Sequence, residues 1–167
     1  MKETINKRIA GTVLALALGG LAAHEGMEYV AYSDVAGVPT ICAGTTQGVR
    51  LGDKATPEQC YNMTLKDYRR FEDVVLKNIT LPLRQNEQIA LTYFCYNVGP
   101  ACATSTAFKL INQGRIREGC EAMGMWNKVT INGRKVVSKG LVNRRNAEIA
   151  LCVTPSLLYS YSPLVPG

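Results

Sequence analysis

The chain has one histidine and one tryptophan, and none of its six cysteines falls in a Cys-x-x-Cys pair. That lack removes the spacing a Cys/His zinc site needs. Aromatic residues make up only 7% of the chain, and no basic block is dense and aromatic-interleaved enough to mark a nucleic-acid surface. Internal repeats, low-complexity runs and interdomain linkers are also missing. At 167 residues the chain fits one domain with a substantial core, and not two full-sized ones. Its longest weakly apolar run, Ile9 to Ala23, would span only about 22 Å as a helix against a hydrocarbon core of about 30 Å. Three glycines and several alanines weaken it further as a permanent anchor.

What is present points outward from the cell interior. The net charge of +6 is spread over Arg69, Arg70, Arg115, Arg117, Arg134, Lys135, Arg144 and Arg145. Such a balance favours an anionic partner, with an acidic glycan wall or a membrane face among the candidates. Lys2, Lys7 and Arg8 precede the run Ile9–Ala23, which ends in small residues; this is the layout of an export signal. Cleavage after Ala22 or Ala23 would leave Glu25 on a frayed terminus, so a catalytic Glu25 requires a retained segment. An ordinary buried first helix of a cytoplasmic protein is the competing reading. Six cysteines, Cys42, Cys60, Cys95, Cys102, Cys120 and Cys152, can pair in about fifteen ways, and spacing alone does not choose among them.

Along the chain, residues 5–25 read as a helix ended by Gly26. Residues 27–52 are punctuated by Gly37, Pro39, Gly44, Gly48 and Gly52 and suggest a small β-ribbon. Thr56-Pro57-Glu58-Gln59 opens a helix running to about Lys77, with Thr56 as N-cap and Gln59 completing a capping box. After Pro82, Asn86 precedes an apolar helix over residues 89–96, closed at Gly99-Pro100. Shorter helices are expected over Thr104–Asn112 and Ile116–Trp126, and a last one over Leu141–Val153 before a Pro- and Tyr-containing tail. Asn132-Gly133 between Lys128–Ile131 and Arg134–Val137 is a type I′ hairpin signal. The fold class is α+β: a mostly helical lobe with a small β lobe inserted after the first helix.

Within this layout Glu25 is followed nine residues later by Asp34 and six after that by Thr40. Two carboxyls and a hydroxyl on a helix end and an adjoining ribbon suit the flanks of a glycosidic bond. One carboxyl must give a proton while the other stays charged, which needs different surroundings for the two. The spacing Glu-x8-Asp-x5-Thr resembles the catalytic triad of phage-type lysozymes, the endolysins of glycoside hydrolase family 24. The stretch Ala90-Leu91-Thr92-Tyr93-Phe94-Cys95-Tyr96-Asn97-Val98-Gly99, with Thr104-Ser105-Thr106 following, is similar to a helix pair of that family. Gly140-Leu141-Val142-Asn143-Arg144-Arg145-Asn146-Ala147-Glu148 is similar to its Gly-Leu-x-x-Arg-Arg-x-x-Glu helix. The N-terminal segment resembles the signal-arrest-release subgroup.

The resemblance implies a lysozyme-like fold and a muramidase cutting the β-1,4 bond between N-acetylmuramic acid and N-acetylglucosamine in peptidoglycan. Phage-driven host lysis is the implied setting. Glu25 is then the general acid, kept protonated by apolar helix packing. Asp34 is the carboxylate, and Thr40 the holder of a water on the opposite face, with inversion at the anomeric centre. Asn97, Arg144 and Arg145 are expected to bind substrate, with either arginine alternatively orienting the carboxylates or merely solvating the last helix. No metal or cofactor is expected. Residues 1–24 form the release segment and residues 25–167 the catalytic domain. Residues 9–23 associate transiently with the inner membrane. The chain is exported to the host periplasm, first tethered and then soluble, and works as a monomer on glycan strands. Outside the inner membrane disulfides persist, and the preferred pairing is Cys42–Cys60, Cys95–Cys102 and Cys120–Cys152. A lytic transglycosylase is the alternative enzyme, and a non-catalytic peptidoglycan-binding or membrane-perturbing protein the alternative class.

Overall fold

A computed structural model describes residues 5–155 of the chain. The positive flank at Lys2 and the Pro- and Tyr-containing tail beyond residue 155 lie outside the described residues. Six α-helices and two antiparallel two-stranded ribbons follow one another in the order α1 (Gly11–Glu25), β1 (Glu28–Ser33), β2 (Pro39–Cys42), α2 (Pro57–Asn78), α3 (Gln85–Val98), α4 (Thr106–Asn112), α5 (Ile116–Ala122), β3 (Lys128–Ile131), β4 (Arg134–Val137) and α6 (Lys139–Val153). The architecture is α+β, with the β1–β2 ribbon directly after the first helix.

The first helix begins at Gly11 and not at residue 5. Partners distant in sequence hold the preceding residues extended. The Asn6 amide donates to the Leu81 carbonyl (2.9 Å) and accepts from the Leu83 N–H (2.7 Å). The Ile9 N–H donates to the buried Glu72 carboxylate (2.7 Å), and Ile9 itself is buried. Beyond Gly11 the helix is apolar all round, as in a buried or membrane-facing helix. It sets Ala17, Leu18 and Leu21 against Tyr68 of α2 and Ile89 and Tyr93 of α3, while Leu16 faces outward. Gly20 allows this approach, because a Cβ there would lie 2.6 Å from the Tyr93 hydroxyl. None of the described helices is long and apolar enough to cross a membrane.

The helical lobe packs around α3. Leu91 and Phe94 of α3, Phe71 and Val75 of α2, Phe108 and Ile111 of α4, and Met123 make up its core. Thr56 caps α2 with both capping-box bonds closed, at 3.1 Å and 2.8 Å. Asn86 lies inside α3, where its amide donates to the carbonyls of Leu151, Cys152 and Thr154 and so closes the end of α6. The helix expected over Thr104–Asn112 starts at Thr106, after a 3-10 turn over Pro100–Thr104, and the one expected over Ile116–Trp126 is divided, with a 3-10 turn over Met123–Met125 following α5. Disulfides join Cys42 to Cys60, Cys95 to Cys102 and Cys120 to Cys152, with Cα separations of 5.1, 5.2 and 5.8 Å. The first of these ties the β1–β2 ribbon to α2, as does the Thr45 hydroxyl, which donates to Asp67 (2.7 Å).

Candidate active site

Glu25 is the last residue of α1, which closes on Gly26 at φ 80° with its N–H donating to the Ala22 carbonyl (2.9 Å). A glycine fits this left-handed cap without a Cβ penalty. The termination leaves the Glu25 side chain only 15% exposed, pointing into the space between the ribbon and the helical lobe. Its partner is not the hydrocarbon wall the sequence suggested. Arg144 of α6 ion-pairs with Oε1 through Nη1 and donates through Nη2 to the His24 carbonyl (3.0 Å). Oε2 faces Gly44, where an added Cβ would lie 3.7 Å away; the missing side chain keeps that oxygen open.

Asp34 opens the loop between β1 and β2. Its Oδ1 accepts from the backbone N–H groups of Ala36 and Val38, both at 2.8 Å, which fixes the carboxyl in the turn. Thr40 lies on β2, opposite Tyr32, and is 4% exposed. Its hydroxyl donates to the Val38 carbonyl (3.0 Å), so the oxygen retains lone pairs for another donor. Glu25, Asp34, Thr40, Thr46, Tyr96 and Asn97 line one cavity of about 340 Å³. Asn97 also lines a hollow of about 800 Å³ with His24 and Arg144, and one of about 300 Å³ with Tyr96 and Arg70. The three adjoin at Asn97, which lines all of them, and together make up the groove. Glu28, the other carboxyl near α1, starts β1, is exposed and does not line the cavity.

Of the two expected arginines, only Arg144 reaches the groove. Arg145 corrects the expectation of a substrate-binding residue: it is 1% exposed, under the groove floor. Consecutive helical residues point about 100° apart, so when one faces the groove the next turns inward. Arg145 Nη2 donates to Asn97 Oδ1 and to Glu148 Oε1, both at 2.8 Å, and its guanidinium stacks over Phe94 at 5.2 Å. Burial pushes the Glu148 carboxyl up to about 7, although both arginines pull it down, and it lowers the value of Arg145. Among the described residues no group of three or more His, Cys, Asp or Glu is placed to hold a metal ion.

The family model for phage lysozyme matches residues 22–148, which contain every residue of this site. The chain belongs to the phage lysozyme family. It is 69% identical over 156 residues to a SAR-endolysin of Pseudomonas phage phiKMV, covering 93% of this chain and 98% of the relative. Among solved structures, an endolysin from Escherichia coli O157:H7 phage FAHEc1 superposes with a TM-score of 0.80 at 38% identity, covering 89% and 95% of the two chains. The muramidase domain of SpmX from Asticaccaulis excentricus gives 0.81 at 28% identity, covering 90% and 100%. This phage lysozyme is a glycoside hydrolase with the lysozyme-like α+β fold.

Two residues of the family stretches that carry no role in the sequence, Tyr96 and Glu148, also belong to the lysozyme site. Tyr96 lies between Glu25 and the Asn97 junction, and its hydroxyl donates to the Ala43 carbonyl (2.7 Å). Burial raises its pKa well above that of an ordinary tyrosine, with Asp67 and Glu25 adding to the effect, so it remains a donor. Its place beside Asn97 in α3 is the signal for it. Glu148 is the counter-charge beneath the site. Its i+3 spacing from Arg145 was the available signal.

Proposed function

We propose that this lysozyme hydrolyses the β-1,4 bond between N-acetylmuramic acid and N-acetylglucosamine during phage-driven host lysis. The observation that carries the reading is the convergence of Glu25, Asp34 and Thr40 on one cavity that adjoins two further hollows at Asn97. A groove of that form accepts a strand, whereas a small ligand would be enclosed. Glu25 takes up a proton on Oε2 before each turnover and gives it to the leaving glycosidic oxygen, so the ion pair with Arg144 is the state after transfer. Arg144 on Oε1 then stabilises the carboxylate that remains. Asp34 stabilises the oxocarbenium-like transition state and takes the proton of the attacking water, whose other hydrogen is held by the Thr40 hydroxyl oxygen. Asn97, held from below by Arg145, orients the sugar.

Product analysis tests the reaction class. Digested murein is expected to carry new reducing ends, with the initial product showing inversion at the anomeric centre. Anhydromuramic ends would instead identify a lytic transglycosylase.

The name of the phiKMV relative supports the topological part of the proposal. Residues 1–24 serve as the release segment, and residues 9–23 hold the exported chain at the inner membrane before it becomes soluble in the periplasm. Residues 25–167 act as a monomeric catalytic domain on peptidoglycan strands. The two parts share α1, because its last residue is Glu25. Fractionation of expressing cells followed by N-terminal sequencing checks this. The soluble periplasmic chain is expected to begin before Ile9, and a terminus at His24 or beyond would refute retention of the segment.

A further inference from the structure

Apart from Val129, which borders the hollow beside His24, the β3–β4 hairpin is a surface that neither the catalytic groove nor the core accounts for. All eight of its strand residues are exposed, yet its composition is that of a covered strand. Val136 is 45% exposed, Ile131 53% and Val137 56%. The register pairs Val129 with Val136 and Ile131 with Arg134, so one face of the ribbon carries three β-branched apolar side chains and a terminal arginine. Clustered exposed apolar residues rimmed by polar ones mark an interaction surface. An isolated two-stranded hairpin is marginal in water, which makes uncovered valines and isoleucine costly there.

Charge identifies what covers them. Residues 127–139 contain Lys128, Arg134, Lys135 and Lys139 and no acidic residue. Among the described residues none of these four cations forms an ion pair. A second copy docked on this hairpin would bring like charge towards like charge, with no acidic residue in either segment to answer it. An anionic surface with an apolar layer beneath it satisfies both parts of the pattern. The root of the hairpin also borders the hollow that holds Ala23 and His24, at the end of α1. We infer that the β3–β4 hairpin is a membrane-docking element that seats Ile131 and Val136 in an anionic phospholipid bilayer, with Arg134 of the same face on the headgroups and Lys135 of the reverse face adding to the local positive charge.

The test uses the full chain and vesicles of phosphatidylglycerol with phosphatidylethanolamine, beside vesicles of phosphatidylcholine alone. Trp126, the single tryptophan, stands two residues before β3 and reports docking by a blue shift. Residues 9–23 are unaltered in every variant, so any affinity they contribute is common to all. Wild type is expected to bind the anionic vesicles, with binding weakened by high salt. I131D/V136D and R134E/K135E should each weaken that binding at least about tenfold, with murein hydrolysis in solution unchanged. Equal binding by wild type and both variants, or equal binding to neutral vesicles, would overturn the inference. Loss of murein hydrolysis in both variants would assign the hairpin to the glycan groove instead. A concentration-dependent dimer abolished by I131D/V136D would assign it to a second copy of the chain.

Discussion

Glu25→Gln is expected to lower the rate of murein hydrolysis by about 10²–10⁴-fold, the contribution of a positioned general acid. Glutamine keeps the shape of the side chain and an oxygen for Arg144, but it has no proton to give to the leaving oxygen. The loss should therefore fall on kcat, with KM little changed. Glu28→Gln is the matched control. It alters an exposed carboxyl of β1 outside the cavity and should leave the rate as in wild type. Turbidity loss on permeabilised Gram-negative cells measures both. If the Glu25 variant clears cells at the wild-type rate, neither acid catalysis by Glu25 nor the hydrolytic reading survives, and a non-catalytic wall-binding protein becomes the better description.

Local signals in the sequence reached as far as local physics determines structure. Thr56-Pro57-Glu58-Gln59 closes a capping box because all the groups involved lie within one turn. Asn132 and Gly133 take φ values of 48° and 74°, as a two-residue type I′ turn requires. The ordering of Glu25, Asp34 and Thr40 was legible, since the family spacing spans only one helix end and one ribbon. The start of α1 was not. Asn6 and Ile9 are held by Leu81, Leu83 and Glu72, more than sixty residues away, and no local pattern encodes that. The same limit governs the polar floor of the site. Arg144 and Arg145 look alike in sequence, but packing of α6 on α3 sends one to Glu25 and the other beneath Asn97. The environment of Glu25 is hidden from the sequence for the same reason, because an arginine 119 positions further on supplies its partner.

Arg145→Met should produce the largest loss of stability. It removes the only ion-pair partner of Glu148 among the described residues, at a site where the two side chains are 1% and 2% exposed. Breaking a buried pair from one side costs about 3–5 kcal/mol, because the remaining charge is left uncompensated. The cost should depend on pH in a definite sense. The Glu148 carboxyl is raised from an ordinary 4.5 to about 7, with burial as the main cause. A carboxyl with a higher folded than unfolded value takes up a proton on folding between the two. Stability therefore falls as pH rises through that window. For wild type the shift from 4.5 to about 7 corresponds to about 3 kcal/mol lost on raising the pH across it, as an order of magnitude. Glu148→Gln should flatten this slope. In Arg145→Met the carboxylate loses its ion-pair partner and keeps only the pull of Arg144, so the slope should steepen and part of the stability should return at low pH. Urea unfolding at pH 5 and pH 8 measures all three proteins. Parallel pH profiles for wild type and Glu148→Gln would show that this carboxyl does not govern the window. Arg145→Met also frees the Asn97 amide from its fixed donor. At a pH where the variant is folded, KM on murein should therefore rise more than kcat falls, as for a residue that positions a sugar contact without touching the reacting bond.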